Sequence, residues 1–340
     1  MKTTLKTIAS ATGVSVTTIS RVLSGKAEKY RINKDTAEKV LIEARRCNYP
    51  FEGIAHLLRS NKSNSIGLII PSISNPYFAE IANSVIEAAN AKGYTTIVVN
   101  CSEDENIQNA CISTLLSRKV DGIIAAPCGT DSSIFEKINE SMTPVVLVDR
   151  YFDGTALPYV TSNNYKGALE ATEFLIRNGH KKITCIQGDP DSLPNFRRVN
   201  GFRQAMKKNN LEDQATIVGD SFSEQNGYME AQLLLGRKER PTAIFALSFT
   251  ILLGVMKAVR DAGMNIPEDI SVISFDNNVS LDYMTPPITR IGQRATEMGI
   301  FATKMLFELL ESENSYSTKL ELATELISRD SVKTLQSYQE

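Results

Sequence analysis

The sequence has few of the residues and patterns that metal, membrane and secreted proteins need. It contains only two histidines, His56 and His180, and five scattered cysteines with no CxxC spacing, so we predict no zinc site and no cofactor. No apolar run approaches the ~18–20 residues of a membrane span, so we expect no membrane partner. Because no apolar stretch follows Met1, we expect no secretory signal and a cytoplasmic protein.

Motifs of common enzymes are also missing. The chain has no GxGxxG after a predicted strand, no GxxxxGKS or GxxxxGKT, no GxSxG and no HExxH. A Ser/His/Asp set would have to use His56 or His180, and neither follows a predicted strand directly. We therefore predict that the protein is not an enzyme and has no catalytic residues.

The small overall charge of −2 hides a strong asymmetry between the two ends of the chain. Residues 1–62 carry 12 Lys and Arg against 5 Asp and Glu, a net charge of +7, and the remainder carries −9. A basic head on an acidic body is typical of a nucleic-acid-binding module joined to a second module.

Residues 4–25 follow the pattern of two short helices joined by a tight turn. Thr4 is placed to cap the first helix, Gly13 to supply a left-handed turn, and Ser15 to cap the second helix. An ordinary pair of surface helices has the same pattern, but the basic charge favours a helix-turn-helix, whose second helix enters a DNA major groove. The side chains expected to face outward from that helix are Val16, Thr17, Ser20 and Arg21.

A third helix and a hinge complete the predicted head. Asn33 is expected to cap the third helix, which closes a small all-α domain over residues 1–48. Residues 49–62 are predicted to be a hinge, since Pro50 breaks the chain and the following short helix would be stable only against a partner. Leu57 and Leu58 in that helix either pack on the body or insert between base pairs in the minor groove.

The body repeats a strand–helix pattern that predicts an α/β fold. Continuous apolar runs at 66–70, 95–99, 121–125 and 144–148 indicate strands buried on both faces of a parallel sheet. Helices are predicted between them, including one over 103–118 capped by Ser102. A second series predicts strands KITCIQ, TIVG, AIFAL, ISVISF and 288–292, and helices near 164–178, 195–208, 224–236, 250–262 and 294–312.

Aromatic and charged residues follow several strands of both series. Ligands bind beyond the carboxyl ends of the strands in open parallel sheets, so these residues predict a ligand cleft between two domains. Aromatic rings, carboxylates and arginines together suit a polyhydroxylated ring. The predicted lining includes Tyr77, Phe78, Asp149, Arg150, Arg198, Phe249 and Asp276.

The segment from Thr4 to Gly25, with its run GVSVTTISRVL, resembles the N-terminus of the LacI/GalR family of bacterial transcription regulators. The segments SIGLIIPSISNPYFAEI, VDGIIAAP, NGHKKI, PEDISVISFDN and PPITRIGQ are similar to family segments as well, so the resemblance covers nearly the whole chain. Two departures are a longer loop at 26–31 and the run Tyr49-Pro50-Phe51-Glu52, in which the proline is shifted and an asparagine is lost.

The resemblance implies roles for residues of the head. Val16, Thr17 and Arg21 would read bases, Ser15, Thr18 and Ser20 would contact phosphates or cap helices, and Leu58 would be the minor-groove wedge. The rest of the predicted DNA-contacting set is Thr4, Asn33, Ala55 and Arg59.

The resemblance also implies the architecture and ligand residues of the body. It implies two periplasmic-binding-protein-like subdomains, over 63–162 with 291–322 and over 163–290 with 323–340, so that helix 294–312 returns to the first. Positions that contact the effector in relatives correspond to Tyr77, Phe78, Asp149, Asn163, Arg198 and Asp276. Ser248 and Phe249 stand where the family usually has Asn-Asp, so the effector is expected to differ from common sugars of the family.

These observations predict a homodimeric transcription regulator, a repressor of carbohydrate-metabolism genes, that binds a palindromic double-stranded DNA operator. A small-molecule effector, either a sugar or a sugar phosphate, would control it allosterically. The alternative is a stand-alone sugar-binding receptor without DNA function.

Overall fold

The computed structural model describes residues 4–23, 26–47, 49, 63–311 and 318–335. They form two compact units. One unit runs to Ser65 and includes Lys119–Asp121, and the other contains Ile66–Arg118 and the chain from Gly122 onward. The predicted hinge at 49–62 lies outside the described residues, apart from Tyr49.

The first unit contains the three predicted helices, α1 (Leu5–Thr12), α2 (Val16–Leu23) and α3 (Lys34–Arg46). Thr4 and Thr7 form a capping box at the start of α1. Gly13 ends α1 in the left-handed conformation with φ of 71°, which glycine adopts without a steric penalty. The predicted helix-turn-helix is therefore confirmed.

A small apolar core joins these helices. It consists of Ile8, Ile19, Val22, Leu23, Val40 and Ala44, with Val14 and Leu41 partly buried at its edge. The spacing of the apolar residues in α2 places one face of the helix in this core and leaves the other face to solvent.

The first lobe of the body contains a six-stranded sheet with strand order β11-β5-β4-β3-β1-β2, in which the strands from β11 to β1 are parallel. Its strands are β1 (Ser65–Ile70), β2 (Thr95–Asn100), β3 (Gly122–Ala125), β4 (Val145–Val148), β5 (Tyr159–Ser162) and β11 (Lys319–Leu322). Its helices are α4 (Pro76–Ala91), α5 (Glu105–Ser117), α6 (Ser133–Glu140) and α11 (Ala295–Glu311).

The second lobe repeats the scheme with strand order β12-β10-β9-β8-β6-β7, in which only β10 and β12 are antiparallel. Its strands are β6 (Ile183–Ile186), β7 (Ala215–Val218), β8 (Ala243–Ala246), β9 (Ser271–Phe275), β10 (Thr289–Gly292) and β12 (Glu325–Ile327). Its helices are α7 (Asn164–Arg177), α8 (Leu193–Lys208), α9 (Glu224–Leu235) and α10 (Phe249–Asp261), with 3₁₀ turns at Glu212–Gln214 and Val279–Asp282.

The chain passes between the lobes three times, after β5, after β10 and between β11 and β12. All of β10 belongs to the second sheet, so the second passage lies after Gly292 rather than at the predicted boundary before Ile291. The division of the body into subdomains remains our proposal with that adjustment.

Helix α11 packs on the first lobe, as the resemblance implied. Met298, Ala302 and Leu306 enter the core that surrounds β1 and α4. Gly299 lets α11 approach α4 closely, because a Cβ atom at this position would lie 1.9 Å from the Ser84 hydroxyl and 2.8 Å from the Ile81 carbonyl oxygen.

One expectation about the first lobe was wrong. Asp104, and not Ser102, caps α5, and its carboxylate accepts hydrogen bonds from the amides of Asn106 and Ile107. Ser102 and Glu103 instead adopt left-handed conformations with φ of 54° and 58°, which takes them out of the helix. Strands β5 and β11 of the first lobe and β12 of the second were not predicted, because they are short and carry polar side chains.

Candidate functional site

One face of α2 is open to solvent, and it carries the side chains predicted to face outward. Val16, Thr17, Ser20 and Arg21 are all exposed, whereas Ile19 on the opposite face is fully buried. Short polar and methyl-bearing side chains next to one arginine fit the floor of a major groove and the phosphates at its edge.

Arg21 is oriented by an aromatic side chain that the sequence did not single out. Its guanidinium carbon lies 4.0 Å from the centre of the Tyr30 ring, within the range of a cation–π contact. Tyr30 belongs to the loop at 26–31 that is longer than in the commonest family form. A residue of this loop therefore restricts the direction in which Arg21 extends.

The other head residues of the predicted set lie at helix starts or outside the described chain. The Ser15 hydroxyl accepts a hydrogen bond from the Thr18 amide at 3.1 Å, and the two hydroxyls are 2.9 Å apart. Thr4 and Asn33 are exposed and cap α1 and α3, respectively. Ala55, Leu58 and Arg59 lie outside the described residues.

A small cavity separates the two lobes at the carboxyl ends of their strands, and we call it the inner cavity. It brings together seven residues of the predicted effector set, namely Tyr77, Phe78, Asp149, Arg150, Arg198, Ser248 and Asp276. It also includes residues outside the predicted set, namely Asn75, Glu103, Ser192, Pro194 and Phe222. Its volume is about 20 Å³, far below the roughly 300–1,000 Å³ of small-molecule pockets.

Two aspartates, one from each lobe, form the polar centre of the inner cavity. Asp149 follows β4 and Asp276 follows β9, and both have left-handed backbones with φ of 63° and 81°. Such conformations in residues other than glycine are concentrated at functional sites. The Tyr77 hydroxyl donates to Asp149 at 2.7 Å, and Gln293 donates from its amide nitrogen to Asp276 at 2.6 Å.

Gln293 connects the two aspartates across the lobes. Its amide oxygen is 3.3 Å from the Tyr77 hydroxyl, so a continuous polar chain runs from Asp149 to Asp276. Gln293 lies on the second passage of the chain between the lobes. The sequence did not mark it, although it directly follows β10, which is parallel to β9 and ends at the same edge of the sheet.

Arg198 is held in place by the second lobe. Its guanidinium donates to Asn164 at 2.7 Å and to the Leu247 carbonyl oxygen at 2.6 Å, and it stacks 3.8 Å from the centre of the Phe275 ring. It is also 3.8 Å from Asp276. Because it is buried and firmly bound, Arg198 gives the cavity a fixed positive charge.

Arg150 provides the positive charge of the first lobe. It forms two hydrogen bonds to the Glu103 carboxylate, at 2.6 and 2.9 Å, and lies between the rings of Phe78 and Phe222. Burial would lower the pKa of Arg150, but the ion pair with Glu103 outweighs burial and raises that pKa. Arg150 is therefore always charged.

Burial raises the pKa values of two groups in the inner cavity, Asp149 and Tyr77. It raises the pKa of Asp149, although Arg198 and Arg150 act in the opposite direction. Burial and the neighbouring Asp149 raise the pKa of Tyr77, so its hydroxyl remains a donor.

Two residues of the predicted effector set do not line the inner cavity. Asn163 caps α7 by accepting a hydrogen bond from the Lys166 amide at 2.9 Å. Phe249 packs in the core of the second lobe, and only its amide contributes, by donating to Asp276 at 3.0 Å. Phe222, which lies before α9, provides the cavity with the aromatic ring expected from Phe249.

An adjoining space, the outer cavity, has a volume of about 430 Å³ and shares Arg150 and Ser192 with the inner one. Ser192 precedes α8 without capping it, and its buried hydroxyl oxygen has no hydrogen-bond partner among the described residues. A hydroxyl in this state can bind a polar group that enters either cavity. The outer cavity is large enough for a small molecule.

Two family models together match most of the chain. Residues 4–50 match bacterial regulatory proteins of the lacI family, and residues 63–329 match periplasmic binding proteins and the sugar binding domain of the LacI family. No helix in the described part of the chain is long and apolar enough to cross a membrane.

Similar proteins match this chain over nearly its whole length or over most of its body. The chain is 33% identical over 340 residues to the HTH-type transcriptional regulator DegA of Bacillus subtilis (strain 168), which covers 98% of this chain and 99% of DegA. A LacI family transcriptional regulator from Enterococcus faecium with bound ribose is 26% identical, with a TM-score of 0.74 over 80% of this chain and 100% of that chain.

The lac repressor dimer bound to operator and the anti-inducer ONPF has the same fold. Its TM-score is 0.82 at 23% identity, covering 98% of this chain and 100% of that chain. The helix-turn-helix, the two mostly parallel sheets and the matches over both parts agree, and the chain belongs to the LacI family of bacterial regulatory proteins.

Proposed function

We propose that this protein is a transcription regulator that binds a palindromic DNA operator as a homodimer and responds to a sugar-like effector between the lobes of its body. The observation that carries the proposal is the exposed face of α2, with Arg21 directed by Tyr30. Two such helices in a dimer would occupy half-sites about 34 Å apart in successive major grooves.

Specific residues of the head divide between two tasks in this proposal. Val16, Thr17 and Arg21 contact base edges, and Ser15, Thr18 and Ser20 contact phosphates. Thr4 and Asn33 lie at helix N-termini, where backbone amides attract phosphates. Ala55, Leu58 and Arg59 of the hinge would enter the minor groove between the half-sites.

The charges of the inner cavity favour a neutral polyhydroxylated effector. Glu103 neutralises Arg150, which leaves Arg198 beside Asp149 and Asp276. An anionic group would meet two carboxylates, whereas sugar hydroxyls can both donate to them and accept from Arg198. A sugar phosphate would require Arg150 to leave Glu103. The ribose-bound relative supports the same ligand class.

The small inner cavity indicates that the effector acts by moving the lobes. A sugar does not fit into about 20 Å³, so the lobes must separate or the linking side chains must shift before it binds. Sugar hydroxyls would then replace the chain of hydrogen bonds from Asp149 through Gln293 to Asp276. A ligand changes the equilibrium only by its different affinity for the two arrangements.

Movement of the first lobe has a direct route to the hinge. The amides of Ser63 and Asn64 donate to the Asp121 carboxylate at 2.6 and 2.9 Å, which fixes the chain just after Lys62 beside the start of β3. We propose that displacement of the first lobes in the dimer changes the separation of the two hinges and thereby the affinity for the operator.

A selection experiment tests the DNA part of the proposal. Full-length protein is used to enrich duplexes from a genomic fragment library at low salt, and the enriched duplexes are then tested by gel shift. We expect an enriched palindrome whose binding weakens with salt by a log–log slope of about −0.9 for each phosphate contacted. A chain that lacks residues 1–62 serves as the control and should not shift the duplex.

Thermal-shift measurements on the same preparations test the effector part. A panel of neutral sugars and the matching sugar phosphates is screened, and any hit is added to the gel shift. A hit that raises the unfolding temperature but acts on no duplex would favour the stand-alone receptor. If no duplex is enriched, the proposal that the protein is a DNA-binding regulator would be contradicted.

A further inference from the structure

Two cysteines outside the proposed contacts with DNA and effector lie side by side in the first lobe. The Sγ atoms of Cys101 and Cys128 are 3.3 Å apart, both residues are buried, and both thiols are free. Cys101 follows β2 and Cys128 lies three residues after β3, and β1 runs between these two strands. The pair therefore spans the carboxyl end of β1.

The backbone holds both thiols at this separation. The Cys101 amide donates to the Ile70 carbonyl oxygen at 3.0 Å, and Gln108 exchanges two hydrogen bonds with the backbone of Cys128, at 2.7 and 3.2 Å. A disulfide needs sulfur atoms ~2.05 Å apart, so the two must approach by only ~1.3 Å. Rotation of the two side chains, together with a small shift of the backbone at Cys101, can provide that movement without separating the strands.

The surroundings of the pair favour a reactive thiolate. The Arg150 guanidinium lies 3.8 Å from the Cys128 sulfur. The hydrogen bond from Cys128 lowers the pKa of Cys101, while burial and the Glu103 carboxylate act against it and Arg150 supports it. The same hydrogen bond and burial raise the pKa of Cys128, so Cys101 is the thiolate of the pair. Pro127 and Gly129, on either side of Cys128, line the outer cavity, which gives a small oxidant a path to the pair.

We infer that Cys101 and Cys128 are a modification site, at which hydrogen peroxide or a small organic hydroperoxide converts the two thiols to a disulfide. The thiolate of one cysteine attacks a peroxide oxygen, the O–O bond breaks, and a sulfenic acid forms as hydroxide or alkoxide leaves. The second sulfur then displaces hydroxide from the sulfenic acid, which leaves as water. With hydrogen peroxide, two thiols are oxidised, one peroxide is reduced, and two water molecules form.

The disulfide would act on the inner cavity through Glu103. This residue lies two positions after Cys101, and it forms the two hydrogen bonds that orient Arg150. Movement of Cys101 toward Cys128 pulls on the left-handed turn at Ser102 and Glu103 and so displaces Arg150. The consequence for effector control rests on the proposed function, whereas disulfide formation does not.

Peptide mapping of the oxidised full-length protein tests the site. The protein is reduced, freed of reductant, treated with an equimolar amount of hydrogen peroxide, alkylated and digested with trypsin. We expect a cross-link between peptides 93–118 and 120–137, an intact mass two hydrogens lower, and reversal by dithiothreitol. Recovery of both peptides with alkylated thiols, or with sulfinic acid and no cross-link, would overturn the inference.

Cys111 is the matched control, because it lies on the same tryptic peptide as Cys101. Cys111→Ser should retain the cross-link, and Cys128→Ala should abolish it. If Cys111→Ser loses the cross-link, Cys111 is the cysteine that forms the disulfide, and the inference about Cys101 and Cys128 is refuted. If Cys128→Ala fails to fold, fragment ions of the wild-type cross-link identify the bonded cysteine instead.

Hydrogen exchange tests the connection to the inner cavity without DNA or effector. Backbone exchange of segments 101–106 and 148–152 is compared in the reduced and oxidised protein. We expect altered exchange in both segments and unchanged exchange in the strands of the second lobe. Unaltered exchange at 148–152 would refute the action on Arg150, whatever the outcome of the DNA experiments.

Discussion

Arg21, for which we propose a contact with a base, is restricted by a neighbouring ring. Its guanidinium lies 4.0 Å from the centre of the Tyr30 ring, which reduces the number of directions the side chain can adopt. A side chain restricted in this way loses less conformational entropy on binding. The sequence identified Arg21 from its place on the helix, but the partner lies nine residues away in a loop without regular structure.

Arg21→Ala should weaken binding to the selected operator by roughly 1–3 kcal/mol, because a bidentate contact with guanine would be lost. Competition gel shifts against an operator with one base pair changed measure the discrimination. Lys39→Ala on α3 removes the same charge from another exposed position and is the control. Unchanged discrimination by the Arg21 variant would argue against base reading there.

His180 is a buried histidine whose role is structural. Its Nδ1 atom is 3.0 Å from the Thr242 hydroxyl, and its Nε2 atom is 3.0 Å from the Lys333 carbonyl oxygen, so it joins the start of β6 to the C-terminal segment. Because that carbonyl can only accept, Nε2 carries the proton of the neutral ring. Burial lowers the pKa of His180 below its usual value of 6.5.

This lowered pKa predicts a pH dependence of stability. Between the folded and unfolded pKa values the unfolded chain binds more protons, so the contribution of His180 is complete above pH 6.5 and decreases as the pH falls below it. His180→Asn should be less stable at pH 7.5 and lose less stability between pH 6.5 and 5 than the wild type. Urea unfolding at several pH values measures this, and parallel curves for the two proteins would contradict it.

At the level of helices and strands, close contacts between helices depend on glycine. In the first lobe Gly299 of α11 faces Ser84 of α4, and in the second lobe a Cβ atom at Gly254 of α10 would lie 2.0 Å from the Glu224 carbonyl oxygen of α9. Backbone atoms cannot move aside as a flexible side chain can. These positions therefore fix the distance between the paired helices.

Gly299→Ala should destabilise the body by about 1–3 kcal/mol, because overpacking forces α11 away from α4. Urea unfolding monitored by circular dichroism provides the measurement. Gly236→Ala is the matched control, since Gly236 has a right-handed backbone with φ of −78° and the added Cβ atom would lie 3.4 Å from the Gln232 carbonyl oxygen, an ordinary contact. Equal stability of Gly299→Ala and the wild type would mean that the two helices separate without cost.

The elements that the sequence predicted correctly are those with long apolar patterns. The runs of β1, β3, β4 and β8 are buried on both faces, and hydrophobic burial decides their structure locally. Strand β11, with the sequence KLEL, is stable only through pairing with β5, more than 150 residues away. Phe222 was missed for a similar reason. Tertiary contacts, and not the local sequence pattern, place the Phe222 ring in the inner cavity and the Phe249 ring in the core of the second lobe.

At the scale of the whole molecule, the two units have cores of very different size. The first unit is closed by six buried apolar residues, whereas each lobe of the body is built on a six-stranded sheet. Domains of ~50 residues lie near the lower limit of independent stability. The first unit should therefore open locally while the body remains folded.

Hydrogen exchange should reveal this difference in the free protein. We expect the amides of α2 and α3 to exchange faster than those of β3 and β8 under the same conditions. Operator DNA should slow exchange in α2 by linkage, because only the folded head binds it. Equal protection of α2 and β3 without DNA would contradict the difference in stability.

The three passages of the chain between the lobes limit what any signal can do to this molecule. Translation of one lobe past the other would stretch at least one of these covalent connections, while bending leaves their lengths nearly unchanged. We therefore expect the lobes to bend about these three connections. Residues near the connections, such as Gln293, would change their contacts between the lobes, and displacement would increase with distance from the connections.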